Sequence, residues 1–138
     1  MTDKVFEFLR KPQATKLQIR SKLMQIEDLR LMMLPSGIRY DKDAVQTSPG
    51  DPMAAYAERL DDLEREVRNL RRQYLAERDA IAWAVEQLPE MRERVVLVGR
   101  YVRGLSYDDI AAELGMSTER VYQLRRSGVK SLDALDSF

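Results

Sequence analysis

The sequence predicts an all-α chain in two parts. The first is an N-terminal antiparallel coiled-coil hairpin over residues 1–75. The second, over residues 76–138, is a small helical domain that ends in a helix-turn-helix. Three observations predict this. Charged residues make up 33% of the chain and aromatics 7%, with only 6 glycines and 5 prolines in 138 positions, a balance that favours helices over strands. An apolar heptad repeat runs from Met53 to Leu88. Between Leu105 and Leu132 two helix start signals flank a single glycine.

Taken in order, residues 1–11 read as a short lead, with Val5, Phe6, Phe8 and Leu9 clustered before Pro12 as a turn that packs on its neighbour. A helix is expected from Pro12, a residue suited to a first helical turn, to about Leu34. Ile19, Leu23, Ile26 and Met33 recur at helical spacing, and Leu17, Met24, Leu29, Leu31, Met32 and Leu34 broaden the apolar surface. Residues 35–52 hold three prolines and two glycines and read as a loop, either functional or disordered.

The next helix is the longest. One seam position holds Met53, Leu60, Val67, Tyr74, Ile81 and Leu88, and the other holds Tyr56, Leu63, Leu70, Glu77 and Ala84. Glu77 is the one break. At 1.5 Å per residue the first helix spans roughly 34 Å and the second roughly 54 Å. Folded back on each other they place Pro12 near Tyr74 or Leu75, and Glu77 falls beyond the end of the first helix. Ile81, Trp83, Val85 and Leu88 then belong to the core of the second domain. Leu88-Pro89 ends the helix. A helix from about Glu90 to Arg103, rich in valine, follows and stops at Gly104.

The helix-turn-helix is read from spacing. Ala111 is small enough for a second helix to cross close by. Gly115 can take the positive φ of a tight turn. Val121 and Leu124 form the inward face of the second helix, against Ile110 and Leu114 of the first. Ser106 and Ser117 are good N-caps, with Leu105/Ile110 and Met116/Val121 at the staple positions. The second helix extends to about Leu135. Arg125 reads as a solvated surface charge, and the acidic end, Asp133 to Phe138, carries no clear role.

Composition bounds the chemistry. The chain has no cysteine and no histidine, so nucleophile–base pairs and metal sites would have to be built from carboxylates, and these recur on exposed helical faces. An enzyme is not expected, and no cofactor or metal is implied. No signal peptide or membrane-length apolar run is visible, so a cytoplasmic protein without membrane contact is expected. Net charge is zero, but it is unevenly placed: +3 over residues 1–34, −4 over 35–90 and +3 over 91–130. The modest positive patch over the helix-turn-helix suggests weak non-specific DNA affinity that needs help from dimerisation or a partner.

Leu88-Pro89-Glu90, Arg94-Val95-Val96-Leu97, Tyr101, Gly104 to Ala111, Leu114 to Ser117 and Glu119 to Leu124 stand where region 4 of bacterial sigma factors carries its marker residues, so this segment resembles that promoter-reading domain. Nothing in the chain resembles the aromatic-rich segment of sigma factors that melts the −10 element. The coiled-coil front end, with Ala44 to Pro49, Asp51 and Met53, resembles instead small sigma-like regulators of phages and mobile elements, late-gene activators of the RinA/ArpU type. The first resemblance implies that Thr118, Glu119, Arg120, Tyr122 and Gln123 read a −35-type element. Gln123 can pair with adenine, Glu119 can accept from cytosine, and Arg120 and Arg126 can take guanine or phosphate. Tyr122 and Thr118 depart from the family pattern, so no consensus hexamer is expected. Arg103, Ser106 and Tyr107 sit where a DNA backbone would pass, and Lys130 faces outward.

The function expected on these grounds is a sequence-specific DNA-binding transcriptional regulator. It would act at promoters with bacterial RNA polymerase, and could form a homodimer through the coiled coil. The alternatives are a small-terminase-like DNA-packaging subunit, which would assemble as a ring, and a protein-binding modulator of RNA polymerase.

Overall fold

The computed structural model describes residues 2–34 and 52–135. Among the described residues five α-helices and one π-helical segment follow in order: α1 (Asp3–Met33), α2 (Pro52–Glu86), α3 (Met91–Leu97), the π segment (Val98–Val102), α4 (Tyr107–Leu114) and α5 (Thr118–Leu135). No strand occurs among the described residues, and the all-α expectation holds. The expected loop lies outside the described residues apart from Pro52, which opens α2. The last three residues also lie outside them.

The chain divides into two compact units. One joins residues 1–16 to residues 72–138, and the other is residues 17–71. The expected boundary at 75/76 had kept the first residues with the hairpin. The difference comes from α1, which begins at Asp3 rather than Pro12 and carries Pro12 in its interior. An interior proline loses a backbone hydrogen bond and costs about 3 kcal/mol. Val5 and Leu9 are fully buried and Pro12 is itself buried. At about 1.5–3 kcal/mol for each buried aliphatic side chain, their burial outweighs that cost. The expected lead is therefore the first two turns of a helix.

In the first unit, Val5 and Leu9 join Ile81, Ala84, Val85, Leu88, Leu97, Val129 and Leu132 in one core, flanked by Phe6, Phe8, Val98, Tyr101 and Val102. Ile81, Ala84, Val85 and Leu88 follow the i, i+3, i+4, i+7 pattern of one helix face. Trp83 lies two residues from both Ile81 and Val85, about 200° round the helix, and is 63% exposed. Its expected place in the core is not observed. Glu77 is also placed differently. α1 does not end before it: the hydroxyl of buried Thr15 donates to Glu77 Oε1 at 2.6 Å, and Gln73 Nε2 donates to both Thr15 Oγ1 and Glu77 Oε2 at 3.2 Å. The polar break in the seam faces a polar residue of α1, and the three side chains satisfy one another.

The second unit is a two-helix piece. Ile26, Leu63 and Val67 are buried, with Ile19, Leu29 and Leu60 partly so. Lys22 pairs with Glu66 at 3.0 Å and Arg30 with Glu64 at 3.8 Å. Positions rise along α1 as they fall along α2, so the helices run antiparallel here. These ion pairs are solvent-accessible and contribute at most about 1 kcal/mol each; the seam carries the association.

After Pro89, Glu90 caps α3 by accepting from the Arg92 N–H at 3.2 Å, and Arg94 Nη1 donates to the Leu88 carbonyl at 2.6 Å. The regular helix expected to Arg103 is instead α3 followed by the π segment, in which the Arg103 N–H bonds to the Val98 carbonyl at 2.9 Å. On its other side α3 meets α5. A Cβ at Gly128 would lie 2.9 Å from Leu97 Cδ1 and 3.3 Å from Glu93 Cβ, so only glycine admits this approach.

Candidate nucleic-acid interface

The two helices of the motif begin and end as the sequence predicts. The Ser106 hydroxyl oxygen accepts from the Asp109 N–H at 3.1 Å, and that of Ser117 accepts from the Arg120 N–H at 3.1 Å, which satisfies donors that the first turn leaves open. Gly115 ends α4 at φ 63°, ψ 40°, and its N–H reaches the carbonyls of Ala111 and Ala112. Val96, Ile110, Ala111, Val121 and Leu124 form the core between these helices and α3, rimmed by Leu105, Tyr107, Leu114 and Met116. With Val121, Leu124, Gly128 and Leu132 turned inward, α5 presents Glu119, Gln123, Arg126 and Lys130 as one outward stripe, with Arg120 and Tyr122 beside it; all six are exposed.

Residues 84–134 match the family model for sigma-70, region 4. These residues form a sigma region 4-like domain. No curated protein and no solved structure matches the chain, and the family match leaves residues 1–83 uncovered. The DNA-binding, transcription-related character of region 4 attaches to the matched segment.

Within the region 4-like domain the candidate residues are not equally free. Thr118, at the start of α5, is half-buried. Arg120 Nη1 donates to Gln123 Oε1 at 3.3 Å, which leaves the amide N–H₂ of Gln123 pointing outward as a donor. Tyr122 stacks on Tyr107, with ring centroids 4.5 Å apart and planes tilted by 38°. The two tyrosines therefore tie the start of α4 to the exposed face of α5. Arg103 forms a two-bond pair with Glu113, both bonds 3.0 Å. The hydrogen bonds between them hold the Glu113 carboxyl below its ordinary value and raise the Arg103 guanidinium above its own. An approaching phosphate would have to compete with Glu113 for Arg103. The spacing of ten residues across a turn gives no helical i,i+4 signal, so this pair was not legible beforehand.

Two further groups were missed. Arg125 is not a solvated charge. Its guanidinium lies 5.3 Å from the Phe6 ring centroid and 5.5 Å from that of Tyr107, and its Nη1 donates to the Tyr101 hydroxyl at 3.3 Å. Arg100 covers Tyr107 at 4.5 Å. Burial raises the Tyr101 pKa against the opposing effect of the Arg125 hydrogen bond, so the phenol stays protonated. Phe6 comes from the far end of the sequence, and no local pattern could have shown it. The second group is Glu93, which is buried and accepts from Ser127 and, at 3.2 Å, from Ser131. The signal that could have found it is the small-residue run Ser127, Gly128 and Ser131, which marks a close approach on that side of α5.

Proposed function

We propose that this protein is a sequence-specific DNA-binding transcriptional regulator: a sigma-like activator of phage or mobile-element type that acts at promoters with bacterial RNA polymerase in the cytoplasm of the host. The observation that carries the reading is the outward stripe of α5 on a region 4-like domain whose two helices are capped and packed as a reading head. On this reading Glu119, Arg120, Tyr122 and Gln123 meet base edges. Arg126 and Lys130 meet phosphates, with Thr118, Ser106, Tyr107 and Arg103 along the backbone. The hairpin recruits a second copy and raises the affinity of a domain whose own charge is only slightly positive. The phage or mobile-element origin is supported by the resemblance of the front end alone.

The test is equilibrium binding to promoter DNA at several salt concentrations. Three cations at phosphates, Arg103, Arg126 and Lys130, give a slope of log K against log[salt] of about −3 per domain. Arg126→Ala weakens all sequences alike and lowers the slope by about 1. Gln123→Ala relaxes preference at one base pair. Unchanged sequence preference after Gln123→Ala and Glu119→Ala would overturn the assignment of reading residues. Binding to polymerase without binding to DNA would overturn the regulator reading in favour of a protein-binding modulator.

A further inference from the structure

The side of α1 turned away from α2 carries an apolar stripe that the hairpin does not use. Leu17, Met24 and Leu31 stand seven residues apart and are 60%, 61% and 61% exposed. Seven residues bring a helix back to within about 20° of the same direction, so the three side chains share one line. The seam residues Ile19, Ile26 and Met33 lie on the other side, roughly 140–180° round. Met32 and Leu34 flank the stripe and are equally exposed. A helix apolar on two opposite sides has two surfaces to bury, and α2 covers one. The described residues of this unit bury three apolar side chains between two helices, short of the core that a helical bundle needs.

The charges between the apolar positions say what covers the second surface. Arg20 lies between Leu17 and Met24, and Glu27 and Asp28 lie between Met24 and Leu31. All three are exposed, and Arg20 and Asp28 enter no ion pair among the described residues. The stripe is thus positive at one end and negative at the other, with Met24 midway. Two such stripes laid parallel put Arg20 on Arg20 and acid on acid. Laid antiparallel about a two-fold axis at Met24, they put Leu17 opposite Leu31 and Arg20 opposite Asp28, with Glu27 one turn-step away. An isologous interface must be complementary to itself, and this stripe is so in the antiparallel sense only.

We infer that the Leu17–Met24–Leu31 stripe of α1 is a homodimer surface, on which α1 of a second copy of this chain packs antiparallel, so that each α1 is covered by its own α2 on one side and by the copy on the other. This rests on the self-association included in the proposed function and names its surface and polarity. The contact uses the hairpin's outer side, so the seam between α1 and α2 stays within each chain.

The test measures the molar mass of the full chain by sedimentation equilibrium over a range of concentrations. The wild type gives a monomer–dimer equilibrium. Leu17→Gln/Met24→Gln/Leu31→Gln keeps the helix, since glutamine is a good helix former, and raises the dimer dissociation constant by at least about 100-fold through lost apolar burial. Arg20→Glu alone, which sets like charges opposite each other twice, raises it by about tenfold. Arg20→Glu combined with Asp28→Arg restores dimerisation, because each chain then presents the reversed pattern to its copy. A wild type that stays monomeric, a ring of higher order, a triple variant that still dimerises, or a charge swap that fails to restore affinity would each overturn the inference. Circular dichroism confirms that the variants are helical. Their binding to a single DNA site reports on the reading head separately, so loss of the dimer and failure of the regulator reading are told apart.

Discussion

The two units of this chain use the same kind of helix and leave opposite residues. The unit formed by residues 1–16 and 72–138 closes two cores, one around Leu97 and one around Ile110, drawing on every helix it contains. Among its described residues, the unit of residues 17–71 buries three side chains and leaves Leu17, Met24, Leu31, Met32 and Leu34 at 60% exposure or more. A helix packed on several sides is specified by its own chain. A helix packed on one side is specified in part by what it meets. The same apolar content therefore means a core in one unit and an interface in the other.

The largest expected effects test the closed core. Leu97→Ala, at a fully buried site shared by α2, α3 and α5, should cost about 2–5 kcal/mol in urea unfolding followed by circular dichroism. Leu63→Ala in the hairpin should open residues 17–71 locally, seen as faster hydrogen exchange there, while protection in α4 and α5 is retained. If both substitutions lower protection everywhere alike, the division into two units fails. Gly128→Val should cost about 1–3 kcal/mol by overpacking against Leu97 and Glu93, and a neutral result would show that α5 can retreat from α3. Gly115→Ala places a side chain at positive φ and should cost about 1–2 kcal/mol, with the loss seen as a lower melting temperature. The smallest effect is on binding. Glu113→Gln frees Arg103 and should strengthen DNA binding severalfold at low salt. The Glu113 carboxyl is depressed by Arg103, so the pair persists above the ordinary carboxylate range. It is lost only as the pH falls through the depressed value, so at neutral pH only the substitution frees Arg103.

The helix-turn-helix was legible because its instructions are local. Two serine caps, one glycine and two staples each act within five residues, and the family match falls on the same segment. The outward α5 residues followed from the inward ones. What escaped was set by long-range contacts. Pro12 looks like a start signal, and only the burial of Val5 and Leu9 explains why the helix runs through it. Trp83 is apolar and so looks like a core residue, but its angle on α2 puts it outside. Glu77 looked like the point where a partner ends and is the point where a polar partner, Thr15, begins. Arg125 and Glu93 depend on Phe6 and on Ser127, far away in sequence.

The π segment carries a consequence for how this domain can vary. One helical residue is about 100° of rotation, and the Val98–Arg103 bond encloses one residue more than an α-turn does. Tyr101 and Val102 reach the Leu97 core in the phase this extra residue sets. Deleting one residue between Val98 and Val102 would let an ordinary α-turn form in its place. Arg103 would still bond to the Val98 carbonyl, so the Ser106 cap and all that follows would keep their direction, and only the residues inside the turn would change theirs. Length is therefore what this stretch can give up, and natural variation in the domain should include chains one residue shorter here with an ordinary α-turn, whereas Gly99, set against Ile110, should stay small.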